Sequence, residues 1–131
     1  MYLCGAVLVS GRHLLTAAHC INNYRPQDLR VRLGEWDVHS DSEYLGDLEL
    51  DITSITAHHN FQEGLLYNDI ALLTVDRGVD FNQFPHISPA CLPHPGSGGQ
   101  RVGDRCWVSG WGKDSFGSRG AYQNILKEVS K

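Results

Sequence analysis

Thr16-Ala17-Ala18-His19-Cys20 is followed at a distance by Asn68-Asp69-Ile70-Ala71-Leu72 and then by Cys106-Trp107-Val108-Ser109-Gly110-Trp111-Gly112. Working outward from these three stretches gives the architecture. Ala6 to Val9 reads as a strand leading to a turn at Ser10-Gly11-Arg12, with His13 to Thr16 as the returning strand. Ala17 to Cys20 reads as a single helical turn closing it. Leu29 to Leu33 puts Val31 and Leu33 on one face and Arg30 and Arg32 on the other, as successive residues of a strand must. Leu48, Leu50 and Ile52 alternate with Glu49, Asp51 and Thr53, but Ile55 falls out of phase, so a bulge is expected near Thr53-Ser54. Ile70 to Val75 is apolar on both faces, the pattern of a strand covered on both sides.

These runs recur about every ten residues, separated by Gly, Pro, Asn and Asp, which is the spacing of an antiparallel sandwich or barrel rather than of alternating strand and helix. The fold class is therefore all-β. Pro85, Pro89, Pro93 and Pro95 precede Gly96-Ser97-Gly98-Gly99-Gln100, which marks a connector. New strands are expected from Arg105, with another segment over Tyr122 to Glu128. The 131 residues set an upper limit of one modest domain, and 41% hydrophobic with 20% charged residues is ordinary for a globular chain.

Composition also excludes function classes. A formal charge of −4 provides no basic stripe for a run of phosphates, so nucleic acid is not an expected partner. The longest apolar stretch is far short of the roughly 20 residues that span a bilayer, so no membrane span is expected. Four cysteines, none in a C-x-x-C pair, point to disulfides and an oxidising compartment, with reduced buried thiols as the alternative. Met1 to Val9 lacks a basic segment and a small-residue cleavage site, and reads as an internal strand rather than a signal peptide.

His19 and Asp69 carry the candidate chemistry. Peptide hydrolysis by a serine nucleophile needs a base to accept the hydroxyl proton and a carboxylate to hold that base in the right tautomer. His19 suits the first role and Asp69 the second, while capping of a turn after Asn68 is the structural alternative for Asp69. No cofactor and no metal site is expected: His58 and His59 point to opposite faces of a strand, and Asp41-Ser42-Glu43 with Asp47 to Asp51 reads as a solvated acidic face. Gly96 to Gly99 lacks the Lys-Ser/Thr of a phosphate loop. Trp107 and Trp111 are expected to pack, with substrate contact as the alternative.

The three stretches, in this order, resemble the first half of a trypsin-like serine protease domain (chymotrypsin family, peptidase S1). Gly34-Glu35-Trp36-Asp37, the run Phe84 to Pro93 and the run Tyr122 to Val129 resemble more narrowly the arthropod clip-domain serine proteases and their non-catalytic homologues. The resemblance implies a chymotrypsin-like Greek-key β-barrel of six antiparallel strands over 1–84, nearly complete, a connector over 85–104, and the start of a second barrel over 105–131. It implies His19 as general base and Asp69 as its orienting carboxylate. It implies a Cys4–Cys20 disulfide, with the partners of Cys91 and Cys106 outside these residues. A serine in a Gly-Asp-Ser-Gly-Gly setting does not occur, so the sequence is expected to be part of a secreted endopeptidase and to hydrolyse nothing alone. Expected partners are a protein or peptide substrate, or cascade proteases, with the missing second barrel covering one face. The alternative is a non-catalytic clip-domain homologue that regulates an extracellular protease cascade.

Overall fold

The computed structural model describes residues 2–40 and 44–131. Among the described residues seven strands form two antiparallel sheets: β1 (Val7–Leu8), β2 (His13–Thr16), β3 (Arg30–Leu33), β4 (Leu48–Ala57) and β5 (Ala71–Val75) in the first, and β6 (Trp107–Gly110) and β7 (Lys127–Ser130) in the second. The only α-helical element among the described residues is one turn, α1 (Ala18–Ile21). The protein is all-β, with a five-stranded half-barrel and a smaller sheet. The chain divides into two compact units, Met1–Leu33 with Asp47–Leu92, and Gly34–Gly46 with Pro93–Lys131.

In the first unit the strands run in the order β1-β2-β5-β4-β3. Alternation decides which face is buried. Leu14 of β2 is opposite Leu8 on one side and Leu73 on the other, and Leu73 is opposite Ile55, so one row of aliphatic side chains crosses four strands. Val31, Leu50, Ile52 and Val75 extend this core, which Val79 and Ile87 cover, with Phe81 and Phe84 packed against it. The register of β4 shifts between Ile52 and Ser54, so Leu48, Leu50 and Ile52 face inward before the shift and Ile55 and Ala57 after it. The bulge stands where the sequence loses its phase. In β5 Ala71, Leu73 and Val75 are buried, whereas Leu72 and Thr74 are only half-covered and Ile70 is exposed just before the strand. That face is drier than an ordinary wet face but is not closed in this unit.

The outer face of β3 and β4 carries a cross-strand charge ladder. Arg30 stands opposite Asp51 and Arg32 opposite Glu49. Arg30 Nε lies 2.9 Å from Asp51 Oδ1, Arg32 Nη2 2.7 Å from Glu49 Oε1, and Arg32 Nε 3.2 Å from Asp47 Oδ2. This places the carboxylates of Asp47, Glu49 and Asp51 on a solvated face; Asp41-Ser42-Glu43 lies outside the described residues. Hydrogen bonding from Arg32 holds the Glu49 carboxyl below its usual range, against partial desolvation. A lowered folded value means that the contribution exists above the unfolded pKa and is lost as pH falls through the folded one. Because the pair is well exposed, Glu49→Gln is expected to cost only about 0.5 kcal/mol at neutral pH, and thermal melts of variant and wild type should converge in acid or high salt.

In the second unit β6 pairs with β7, Trp107 opposite Ser130 and Val108 opposite Val129. The Trp36 carbonyl accepts from the Leu126 amide at 2.8 Å and from the Trp111 indole N–H at 3.2 Å, and the Val38 amide donates to Asn124 O. Trp111 is therefore half-covered with its N–H satisfied, whereas Trp107 is 70% exposed because a two-stranded sheet has no layer over it within this unit. Within the segment expected over Tyr122 to Glu128, strand structure begins at Lys127. The Asp114 carboxylate accepts the Ala121 amide at 3.0 Å and shapes the chain between them as a closed loop, leaving Tyr122 and Ile125 in isolated bridges.

Candidate active site

The register of β2 against β5 brings the site together. Thr16, the last residue of β2, is opposite Ala71, the first of β5, so the turn leaving one strand meets the loop arriving at the other. Ala17 is extended and offers no side-chain cap to α1. The orphan amides at the start of a helical turn still need acceptors, and here the acceptor comes from fifty residues away: Asp69 Oδ1 accepts the His19 backbone N–H at 2.8 Å. Asn68 makes this possible. Its φ of 55° lies in the left-handed region that Asn tolerates better than branched residues, and its amide donates to Asn60 O at 3.0 Å. The kink turns the Asp69 side chain towards α1.

The second carboxylate oxygen completes the pair. His19 Nδ1–H donates to Asp69 Oδ2 at 2.5 Å. An ionised carboxylate only accepts, so this contact places the proton of a neutral His19 on Nδ1 and leaves Nε2 as a free base. The Asp69 side chain is 18% exposed and that of His19 50%. The Asp69 carboxyl is held below its ordinary pKa, first by the His19 backbone N–H, with desolvation opposing and the imidazole adding to the lowering. By the same sign rule as for Glu49, this linkage stabilises the fold above the unfolded carboxylate pKa and disappears as pH falls through the lowered folded value. What the arrangement can do chemically is take a proton at Nε2 and stabilise the resulting cation from behind.

A disulfide joins Cys4 to Cys20, with the Cα atoms 6.3 Å apart. Ala18 and Ile21 of α1 are buried against Ala71, with Phe61, Ala57 and Leu29 packed around them. The turn bearing His19 is thus fixed three ways: by its apolar side, by Asp69, and by the bridge. Replacing both cysteines by Ala is expected to lower stability by about 3 kcal/mol, since the bridge closes a loop of 16 residues, and urea denaturation measures it. Cys91 and Cys106 are free, the first exposed and the second half-buried.

Two features of the site lay beyond sequence reasoning. One is the left-handed Asn68, for which the only signal was the residue type. The other is Cys20 Sγ, which approaches His19 Nε2 to 3.7 Å although the two residues are adjacent in sequence. His58 and His59, expected on opposite faces of a strand, instead lie just past the end of β4 and stack on each other with ring centroids 4.6 Å apart. Among the described residues no group of three His, Cys, Asp or Glu side chains is placed to hold a metal ion.

A sequence model of the family described as Trypsin matches residues 1–131. This chain belongs to the trypsin family. Membership places it in the serine protease domain family, in which a His–Asp pair of this kind is the worked example of triad catalysis. Its relatives include both kinds of protein in that fold. It is 40% identical over 131 residues to the inactive CLIP domain-containing serine protease A3 of Aedes aegypti, covering 98% of this chain and 27% of that one. It is likewise 40% identical to phenoloxidase-activating factor 2 of Galleria mellonella, covering 98% of this chain and 41% of the relative. It is 33% identical to the proclotting enzyme of Tachypleus tridentatus, covering 96% and 34%. The trypsin-family chain thus spans between about a quarter and two-fifths of these relatives. No helix among its described residues is long and apolar enough to cross a membrane.

Proposed function

We propose that this chain contributes the general-base half of a secreted, extracellular serine endopeptidase, with His19 accepting the proton of a serine hydroxyl and Asp69 holding the imidazole. Residues 1–84 would form its first barrel, 85–104 the connector and 105–131 the opening of the second barrel. The observation that carries this reading is the double hydrogen bond from His19 to one carboxylate, which fixes both the position of the ring and its tautomer. The serine nucleophile and the donors that stabilise the tetrahedral oxyanion would come from sequence outside these residues, since no Gly-Asp-Ser-Gly-Gly occurs within them. Protein substrates and the other proteases of a cascade are the proposed partners, and no cofactor is needed for acyl transfer of this kind.

A second reading has its own support. A relative sharing 40% of residues is named inactive, so a non-catalytic clip-domain homologue that regulates a cascade is the alternative. The two readings part in one experiment. The messenger is sequenced past the codon for Lys131, and the full-length protein, activated by proteolysis, is treated with a fluorophosphonate probe. A Ser in the nucleophile motif and labelling that His19→Ala abolishes support the endopeptidase. A Gly at that place, with no labelling, overturns it in favour of the regulatory homologue.

A further inference from the structure

Cys4 is exposed and Cys20 half-buried, and the sulfur of Cys20 has an imidazole nitrogen beside it, His19 Nε2 at 3.7 Å. That imidazole is backed by Asp69 at 2.5 Å. The two ends of the bridge therefore differ chemically: one sulfur is open to attack, and the other is placed to depart as a thiolate beside a cation. We propose that the Cys4–Cys20 bridge is a thiol-exchange site, taking a small-molecule thiol onto Cys4 and storing the released Cys20 thiolate against His19.

The thiolate of the incoming thiol attacks Cys4 Sγ. A new sulfur–sulfur bond forms there, the Cys4–Cys20 bond breaks, and its electron pair leaves on Cys20 Sγ. The incoming sulfur is oxidised and Cys20 is reduced. Neutral His19 Nε2 takes the proton of the incoming thiol, and the imidazolium so formed, backed by Asp69, stays hydrogen-bonded to the departing Cys20 thiolate. In reverse, the Cys20 thiolate attacks the mixed disulfide and expels the small thiol, which takes the proton back from Nε2. A neighbouring imidazolium lowers thiol pKa values, and a thiolate of lower pKa leaves faster and stabilises the reduced form. The proposal uses the His19–Asp69 pair as geometry and stands whether or not the parent protein has a serine nucleophile. Its consequence is that exchange releases one of the three fastenings of the turn that carries His19.

The test incubates the full-length protein with reduced glutathione, quenches aliquots with iodoacetamide, and locates each label by peptide mass spectrometry. Glutathione is expected on Cys4 and the alkyl group on Cys20; glutathione on Cys20 would overturn the assignment. His19→Gln is expected to slow formation of the mixed disulfide about 10-fold, because the departing Cys20 thiolate loses the imidazole that stabilises it. Asp69→Asn, which acts through the imidazole, should slow it in the same direction. A His19→Gln variant that melts like wild type and exchanges as fast or faster would sink the idea. Should that variant fail to fold, the position of the glutathione on the wild-type protein decides alone.

Discussion

Under the proposed endopeptidase function, Asp69→Asn in the full-length protein is expected to lower kcat about 10⁴-fold, the size known for the corresponding change in the type member of this family. The reason is visible in how the carboxylate is held. Asp69 Oδ1 accepts the His19 backbone N–H at 2.8 Å, and a backbone amide has no other role there than to donate. An Asn must therefore turn its carbonyl oxygen to that amide. Its NH₂ group then faces His19 Nδ1, where Asp69 Oδ2 now sits at 2.5 Å. A donor in that position requires Nδ1 to accept, so the imidazole proton moves to Nε2, and the nitrogen that should take a hydroxyl proton already carries one. The loss amounts to about 5 kcal/mol of transition-state stabilisation with little change in the fold. Burst titration and kcat on a peptide ester would check it, with the expectation that KM changes far less than kcat. Activity within tenfold of wild type would show that the carboxylate does not set the tautomer.

The parts of this structure that sequence made legible are those encoded by local periodicity. Leu48, Leu50 and Ile52 inward, then Ile55 out of step, specified the bulge of β4 because a one-residue slip moves every later side chain to the other face. Val31 between Arg30 and Arg32 specified which face of β3 is wet. The parts that were not legible depend on partners distant in sequence or on single side-chain bonds. The meeting of His19 and Asp69 rests on the register of Thr16 against Ala71, which no window of sequence contains. Motif resemblance supplied it instead. The shape of the loop before β7 rests on one carboxylate, Asp114, bonded to the Ala121 amide, and hydrophobic spacing has no record of such a bond, so the segment read over Tyr122 to Glu128 carries its strand only from Lys127. Ile70 looks buried in a run of apolar residues, yet it lies just before β5, on the side the half-barrel leaves open.

Leu14→Ala is expected to cost about 2–5 kcal/mol, the range for deleting a fully buried leucine side chain. Leu14 has no exposed surface and sits in the middle of the row that runs from Leu8 through Leu73 to Ile55. Both sheet neighbours are hydrogen-bonded to fixed strands and cannot close on the space, so the cavity term adds to the lost transfer energy. Against a total stability of about 5–15 kcal/mol this is a large share, and a fall in Tm on the order of 10 °C should appear by calorimetry. Val7→Ala on β1, where Val7 is 51% exposed, supplies the contrast and should cost under about 1 kcal/mol. Leu14→Met, which keeps the volume, should cost less than about 1.5 kcal/mol. The effect is not confined to stability, because β2 runs directly into the turn that carries His19. A loosened β2 weakens the Thr16–Ala71 pairing that brings the turn beside Asp69, so under the proposed endopeptidase function Leu14→Ala should also reduce proteolysis by the full-length protein at temperatures well below its own melting point. A Leu14→Ala protein within 1 kcal/mol of wild type would show that this row is not the centre of the core, and the account of how β2 positions His19 would fall with it.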